Sequence, residues 1–76
     1  MTFTRVNEEV AVIDGARLVR YGRVDHFGPL SVTLTDGTRW RQADGKPWGA
    51  GRRTILSGNR LVDAARGRRV ERETSA

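Results

Sequence analysis

Apolar residues along this chain fall into short runs between dense turn signals. The runs are rich in Val, Ile, Leu, Thr, Tyr and Trp. The turns are Asp14-Gly15, Gly28-Pro29, Asp36-Gly37, Asp44-Gly45-Lys46-Pro47, Gly49-Ala50-Gly51 and Gly58-Asn59. Gly, Pro, Asn and Asp mark turns because they take backbone conformations that a strand does not use. Short strands spaced about 8–12 residues apart indicate a sandwich or a small barrel. The pattern predicts strands over 9–13, 17–26, 31–35, 38–43 and 53–57. The expected fold is a mostly-β, five-stranded small barrel over residues 1–58.

The hairpin at Asp36-Gly37 can be resolved to a register. A two-residue loop would place Val32 and Leu34 on one face with Arg39 and Arg41. A slip of one residue moves every side chain to the other face. A three-residue loop, Thr35-Asp36-Gly37, with Gly37 in the left-handed conformation, is a type I turn closed by a glycine bulge. It pairs Leu34 with Thr38 and Val32 with Trp40. Val32, Leu34 and Trp40 then face inward, and Ser31, Thr33, Arg39 and Arg41 face outward. This register separates apolar from polar side chains and is the one expected.

By the same logic a three-residue loop of Ile13, Asp14 and Gly15 puts Val10, Val12 and Leu18 on one face. Gly22, inside a strand, predicts a bulge or a sharp bend. From Asn59 onward the pattern changes. Asn59 is a helix-cap residue, and Leu61, Val62, Ala65 and Arg69 form a weak stripe that Gly67 interrupts. A short helix over 60–66 is expected, followed by a basic flexible tail to residue 76.

The succession Val10-Ala11-Val12-Ile13, Gly22-Arg23-Val24, and Val32-Thr33-Leu34 before Asp36-Gly37-Thr38-Arg39-Trp40 resembles an SH3-like small barrel of the KOW or Tudor kind. It is also similar to short barrel proteins of actinobacteria and their phages. The likeness covers roughly residues 8–57. Many such barrels carry Gly-Asp before the first strand, where this chain has Asn7-Glu8-Glu9. The resemblance implies a module that binds RNA, DNA or protein, and the fold alone does not choose among them.

At 76 residues the chain is a single domain with a small core. It has no cysteine, which fits a reducing compartment. The first ten residues lack the apolar stretch of a signal peptide. No run approaches the roughly 18 apolar residues of a membrane span. A soluble, cytoplasmic protein is expected, monomeric or weakly dimeric through a sheet edge.

Charge is unevenly placed. Residues 1–36 hold four arginines against five acids, a net of −1. Residues 37–76 hold nine arginines and Lys46 against four acids, a net of +6, and the total is +5. Arginine offers a planar fork suited to phosphate and carboxylate. Its excess over lysine is assigned mostly to GC-rich coding. A basic half nonetheless points to an anionic partner.

Catalytic chemistry finds little purchase. His26 is the only histidine and is read as a surface residue at a strand end. No serine lies in a nucleophile motif, and Asp14, Asp36 and Asp44 each precede glycine as turn residues. Gly45, Gly49 and Gly51 do not match a phosphate-binding glycine loop. Neither an enzyme nor a cofactor or metal site is expected.

The stronger signal is Arg39-Trp40-Arg41, followed by Lys46, Trp48, Arg52 and Arg53. Cations hold phosphates while an exposed ring stacks on a base. The register assigns Trp40 to the core and leaves Arg39 and Arg41 outside. Trp48 lies in the Gly/Pro loop, either exposed or as a lid over one barrel mouth. The expected function is nucleic-acid binding through Arg39, Arg41, Lys46, Trp48, Arg52 and Arg53. Five phosphate contacts would give a log–log salt slope of about −4 to −5 on duplex DNA. The alternative is a protein-interaction module, such as a phage accessory or host-directed protein. Trp40→Ala should cost about 3–5 kcal/mol if the ring is core. A near-native melting temperature would refute the register.

Overall fold

The computed structural model describes residues 3–48 and 58–75. Five strands precede one helix: β1 (Glu9–Asp14), β2 (Arg17–Phe27), β3 (Ser31–Leu34), β4 (Arg39–Arg41), β5 (Asn59–Asp63) and α1 (Ala64–Ser75). The strands form one antiparallel sheet in the order β4-β3-β2-β1-β5. The sheet curls into a half-barrel. Strand β2 makes this possible by its length. Arg17–Arg23 pairs with β1, and Val24–Phe27 pairs with β3.

The concave side encloses Phe3, Val10, Val12, Val24, Val32, Leu34, Trp40 and Leu61. Phe3 enters this core through Gln42. The Gln42 Nε2 donates to the Phe3 carbonyl at 2.8 Å, and Oε1 accepts the Phe3 N–H at 2.7 Å. The side chain thus stands in for a pairing strand and leaves no backbone group of Phe3 unsatisfied. A second cluster, on the convex side, joins Ala11, Ile13, Val62 and Val70, with Leu18 and Tyr21 against it.

The β3–β4 hairpin has the expected register. Val32 pairs with Trp40, and Leu34 N donates to the Thr38 carbonyl at 2.9 Å. Gly37 has φ of +88°, the left-handed conformation that the turn requires. Trp40 is fully buried, and its indole N–H is satisfied through a relay. Trp40 Nε1 donates to Thr38 Oγ1 at 2.9 Å, and Thr38 Oγ1 donates to Asp36 Oδ1 at 2.6 Å. Asp36 Oδ2 accepts from Arg20 Nη2 at 2.7 Å.

Three expectations change. The first concerns the Asp14-Gly15 hairpin. Asp14 pairs with Arg17 across a two-residue turn, and the extra residue is a bulge at Val19, between the Val12–Arg20 and Ile13–Leu18 pairs. Leu18 therefore joins Ile13 on the convex side instead of Val10 and Val12. The second concerns Gly22, which lies in regular register opposite Val10; the irregularities of β2 fall at Val19 and Asp25. A Cβ at Gly22 would meet Leu34 Cδ1 at 3.2 Å, so the position is kept small by the core.

The third concerns residues after 58. The expected helix over 60–66, capped by Asn59 and followed by a flexible tail, is replaced by strand β5 and a helix running from 64 to 75. Residues 59–63 pair with β1 (Val10–Asp14), so the expected division at 58/59 falls at the edge of a sheet strand. The cap is Asp63, whose Oδ1 accepts the Arg66 N–H at 2.7 Å, as an N-cap carboxylate does. Gly67 lies inside the helix. Its missing Cβ lets α1 approach Ala11 Cβ more closely than any side chain would permit. Ala64, Gly67 and Val70 form the buried stripe. The strand expected at 53–57 lies outside the described residues.

Two outcomes test this packing. Gly67→Ala gains about 1 kcal/mol of helix propensity but overpacks against Ala11, at about 1–3 kcal/mol. The melting temperature should fall, and a more stable variant would refute the close approach. For Asp36, burial raises the carboxyl pKa, but hydrogen bonds from the Thr38 side chain, the Thr38 N–H and Arg20 outweigh it and hold the group below its ordinary value. A depressed folded pKa gives stability that is present above the unfolded value, about 3.9, and is lost as pH falls through the folded one. Asp36→Asn should lower stability at neutral pH by about 1 kcal/mol and flatten the loss of melting temperature in acid. Parallel acid profiles for the two proteins would contradict this.

Candidate functional site

The outer face of the β3–β4 hairpin is built by strand alternation. Because Trp40 points into the core, Arg39 and Arg41 must point out, and both are exposed. The chain then turns through residues 42–45 and returns along β4. Arg41 N donates to the Lys46 carbonyl at 2.8 Å, and Trp48 N donates to the Arg39 carbonyl at 3.0 Å. These bonds flank an antiparallel bridge between Trp40 and Pro47. Residues 46–48, expected in a loop, thus run antiparallel to β4 through a single isolated bridge. The turn holds because Asp44 Oδ1 accepts the Lys46 N–H at 3.0 Å. Gly45, at φ +74°, lies so close to the Leu61 carbonyl that a Cβ has no room. Gly45 O also accepts the Leu61 N–H at 2.8 Å, which draws the turn against β5.

Two cross-strand rows result. One runs Ser31–Arg41–Lys46, and the other runs His26–Thr33–Arg39–Trp48. Four of the six residues expected to bind, Arg39, Arg41, Lys46 and Trp48, share this face. Arg52 and Arg53 lie outside the described residues. Trp48 is half-buried, between the exposed ring and the lid that the sequence allowed. His26 joins the rows through its register with Thr33 and is exposed, 2.9 Å from Asp25.

Arg41 and Lys46 are like charges directly opposite each other, an arrangement that weakens a sheet. Asp44 offsets it in part, with Oδ1 3.6 Å from Arg41 Nε. The Lys46 N–H, together with the nearby Arg41, Lys46 and Arg60 charges, holds the Asp44 carboxyl below its ordinary value. Among the described residues no carboxylate lies within ion-pair distance of Arg39 or Lys46.

Beside the basic face lies a cleft of about 420 Å³ lined by Pro29, Leu30, Arg41, Ala43, Pro47 and Trp48. A second, also about 420 Å³, lies across Pro29 and is lined by Thr4, Phe27, Gly28 and Gln42. Leu30 is 71% exposed at the rim. The sequence reading missed this apolar side of the site. The available signal was Leu30 itself, a large apolar residue inside a Gly-Pro turn.

Among the described residues no cluster of His, Asp or Glu is placed to hold a metal ion. No described helix is long and apolar enough to cross a membrane. No known protein family matches the chain, and neither does any curated protein or solved structure.

Proposed function

We propose that this protein is a small non-enzymatic binding module of the SH3-like barrel kind, and that it binds nucleic acid on the outer face of β3, β4 and residues 46–48. The observation that carries this is the Trp40–Pro47 bridge, which sets Arg39, Arg41, Lys46 and Trp48 on one surface. Three cations within two adjacent rows match the repeated charge of a phosphate backbone. An anion between Arg41 and Lys46 would relieve their repulsion. The partly exposed Trp48 ring adds a stacking surface. A protein partner is the second reading, favoured by the exposed Val6, Phe27 and Leu30.

The test is a salt-titrated anisotropy assay with short DNA and RNA. Arg39→Ala should weaken binding to all sequences alike and reduce the salt slope by about 1. Asp44→Asn keeps the turn acceptor and removes the offsetting charge, so it should tighten binding severalfold. A flat salt response, or no binding at low salt, would sink the proposal. A specific interaction that survives nuclease treatment would favour the protein reading.

A further inference from the structure

The basic face does not by itself distinguish a duplex from a single strand, but the cleft beside it does. We infer that the site takes single-stranded nucleic acid, with one unstacked base seated between Leu30 and Trp48 and its phosphate on Arg41. This rests on the nucleic-acid reading above and specifies the ligand for the same surface.

Arg41 belongs to both features. It stands in the Ser31–Arg41–Lys46 row and lines the cleft. A ligand reaching the cleft must therefore satisfy a guanidinium at the rim and apolar walls within. The walls are Pro29, Leu30, Ala43, Pro47 and Trp48. A duplex hides its base faces in the stack and offers grooves only base edges. A single strand offers flat base faces directly beside phosphates, the combination that aromatic and cationic surfaces bind. The cleft volume, about 420 Å³, lies within the range of sites for small organic groups.

The apolar rim is also held in place before any ligand arrives. Leu30 O accepts the Gln42 N–H at 3.0 Å, and Gly28 N donates to the Ser31 carbonyl at 2.8 Å. Gln42 Nε2 reaches the Gly28 carbonyl at 3.2 Å. The turn that carries Leu30 is thus tied on both sides while its side chain stays in solvent. A turn whose backbone is already ordered loses less entropy on binding than a free one. The cleft across Pro29, with the partly exposed Phe27, continues the track and gives a neighbouring base a second apolar seat.

Binding of a short oligonucleotide should be compared with binding of its duplex, using wild type and Leu30→Ala. The single strand should bind at least about tenfold more tightly than the duplex. Leu30→Ala should weaken single-strand binding about five- to tenfold, without changing the salt slope, duplex binding or melting temperature. An abasic strand should bind weakly and be indifferent to the substitution. Equal affinity for both forms, with Leu30→Ala silent, would overturn the base-binding cleft and leave the basic face standing. Absence of oligonucleotide binding at low salt would overturn both, and the cleft would then be a groove for a protein partner.

Discussion

The central four residues of β1, Val10–Ile13, have no solvent face, and the architecture follows from that constraint. Val10, Ala11, Val12 and Ile13 are all buried, although alternate residues of a strand must point to opposite sides. Val10 and Val12 enter the concave core with Trp40, while Ala11 and Ile13 need a cover on the convex side. The curled sheet supplies the first environment and α1 the second. The helix can lie close enough only because Gly67 presents no Cβ to Ala11. A domain of 76 residues has little apolar surface to bury. Burying one strand on both sides lets a short chain build two small cores instead of one.

The same economy of interior space shapes the outer face. Trp40 fills the concave core, and its indole N–H must find a partner there. Thr38, Asp36 and Arg20 provide it through a relay that ends at the surface. With Trp40 directed inward, alternation leaves Arg39 and Arg41 no choice but to face solvent. The Trp40–Pro47 bridge then fixes Lys46 and Trp48 on their side. Core packing, not any local preference of the arginines, therefore determines where the cations stand.

The legible parts of the sequence were those where one turn and one alternation decided the outcome. Asp36-Gly37 specified its register because only one pairing kept arginine out of the core. The four-residue run at Val10–Ile13 is the usual mark of a strand buried on both faces, but the sequence reading used it only to place Val10 and Val12 inward and drew no covering layer from it. The cover was harder to see. Leu61 and Val62 belong to a strand that passes directly into a helix at the Asp63 cap, with no turn signal between. Gly67 reads as a helix breaker unless the contact with Ala11 is known. Phe3 gave no pattern, since its place depends on Gln42, 39 residues away. Leu30 belonged to a turn and had no strand partner to expose its role.

The distribution of acids sets the charge that the outer face of β3 and β4 presents. Two arginines off this face meet carboxylates brought from distant parts of the chain: Arg20 with Asp36, and Arg68 with Glu9 at 3.1 Å. Among the described residues, the one carboxylate paired with Arg39, Arg41 or Lys46 is Asp44, which also holds the turn through the Lys46 N–H. Arg41 and Lys46 remain opposite each other, and Arg39 stands beside Trp48. A small domain with little stability to spare carries this repulsion where the fold places an open apolar cleft against it. Uncompensated charge and exposed apolar surface each cost a free protein something, and a ligand carrying both phosphate and a flat apolar ring relieves the two together.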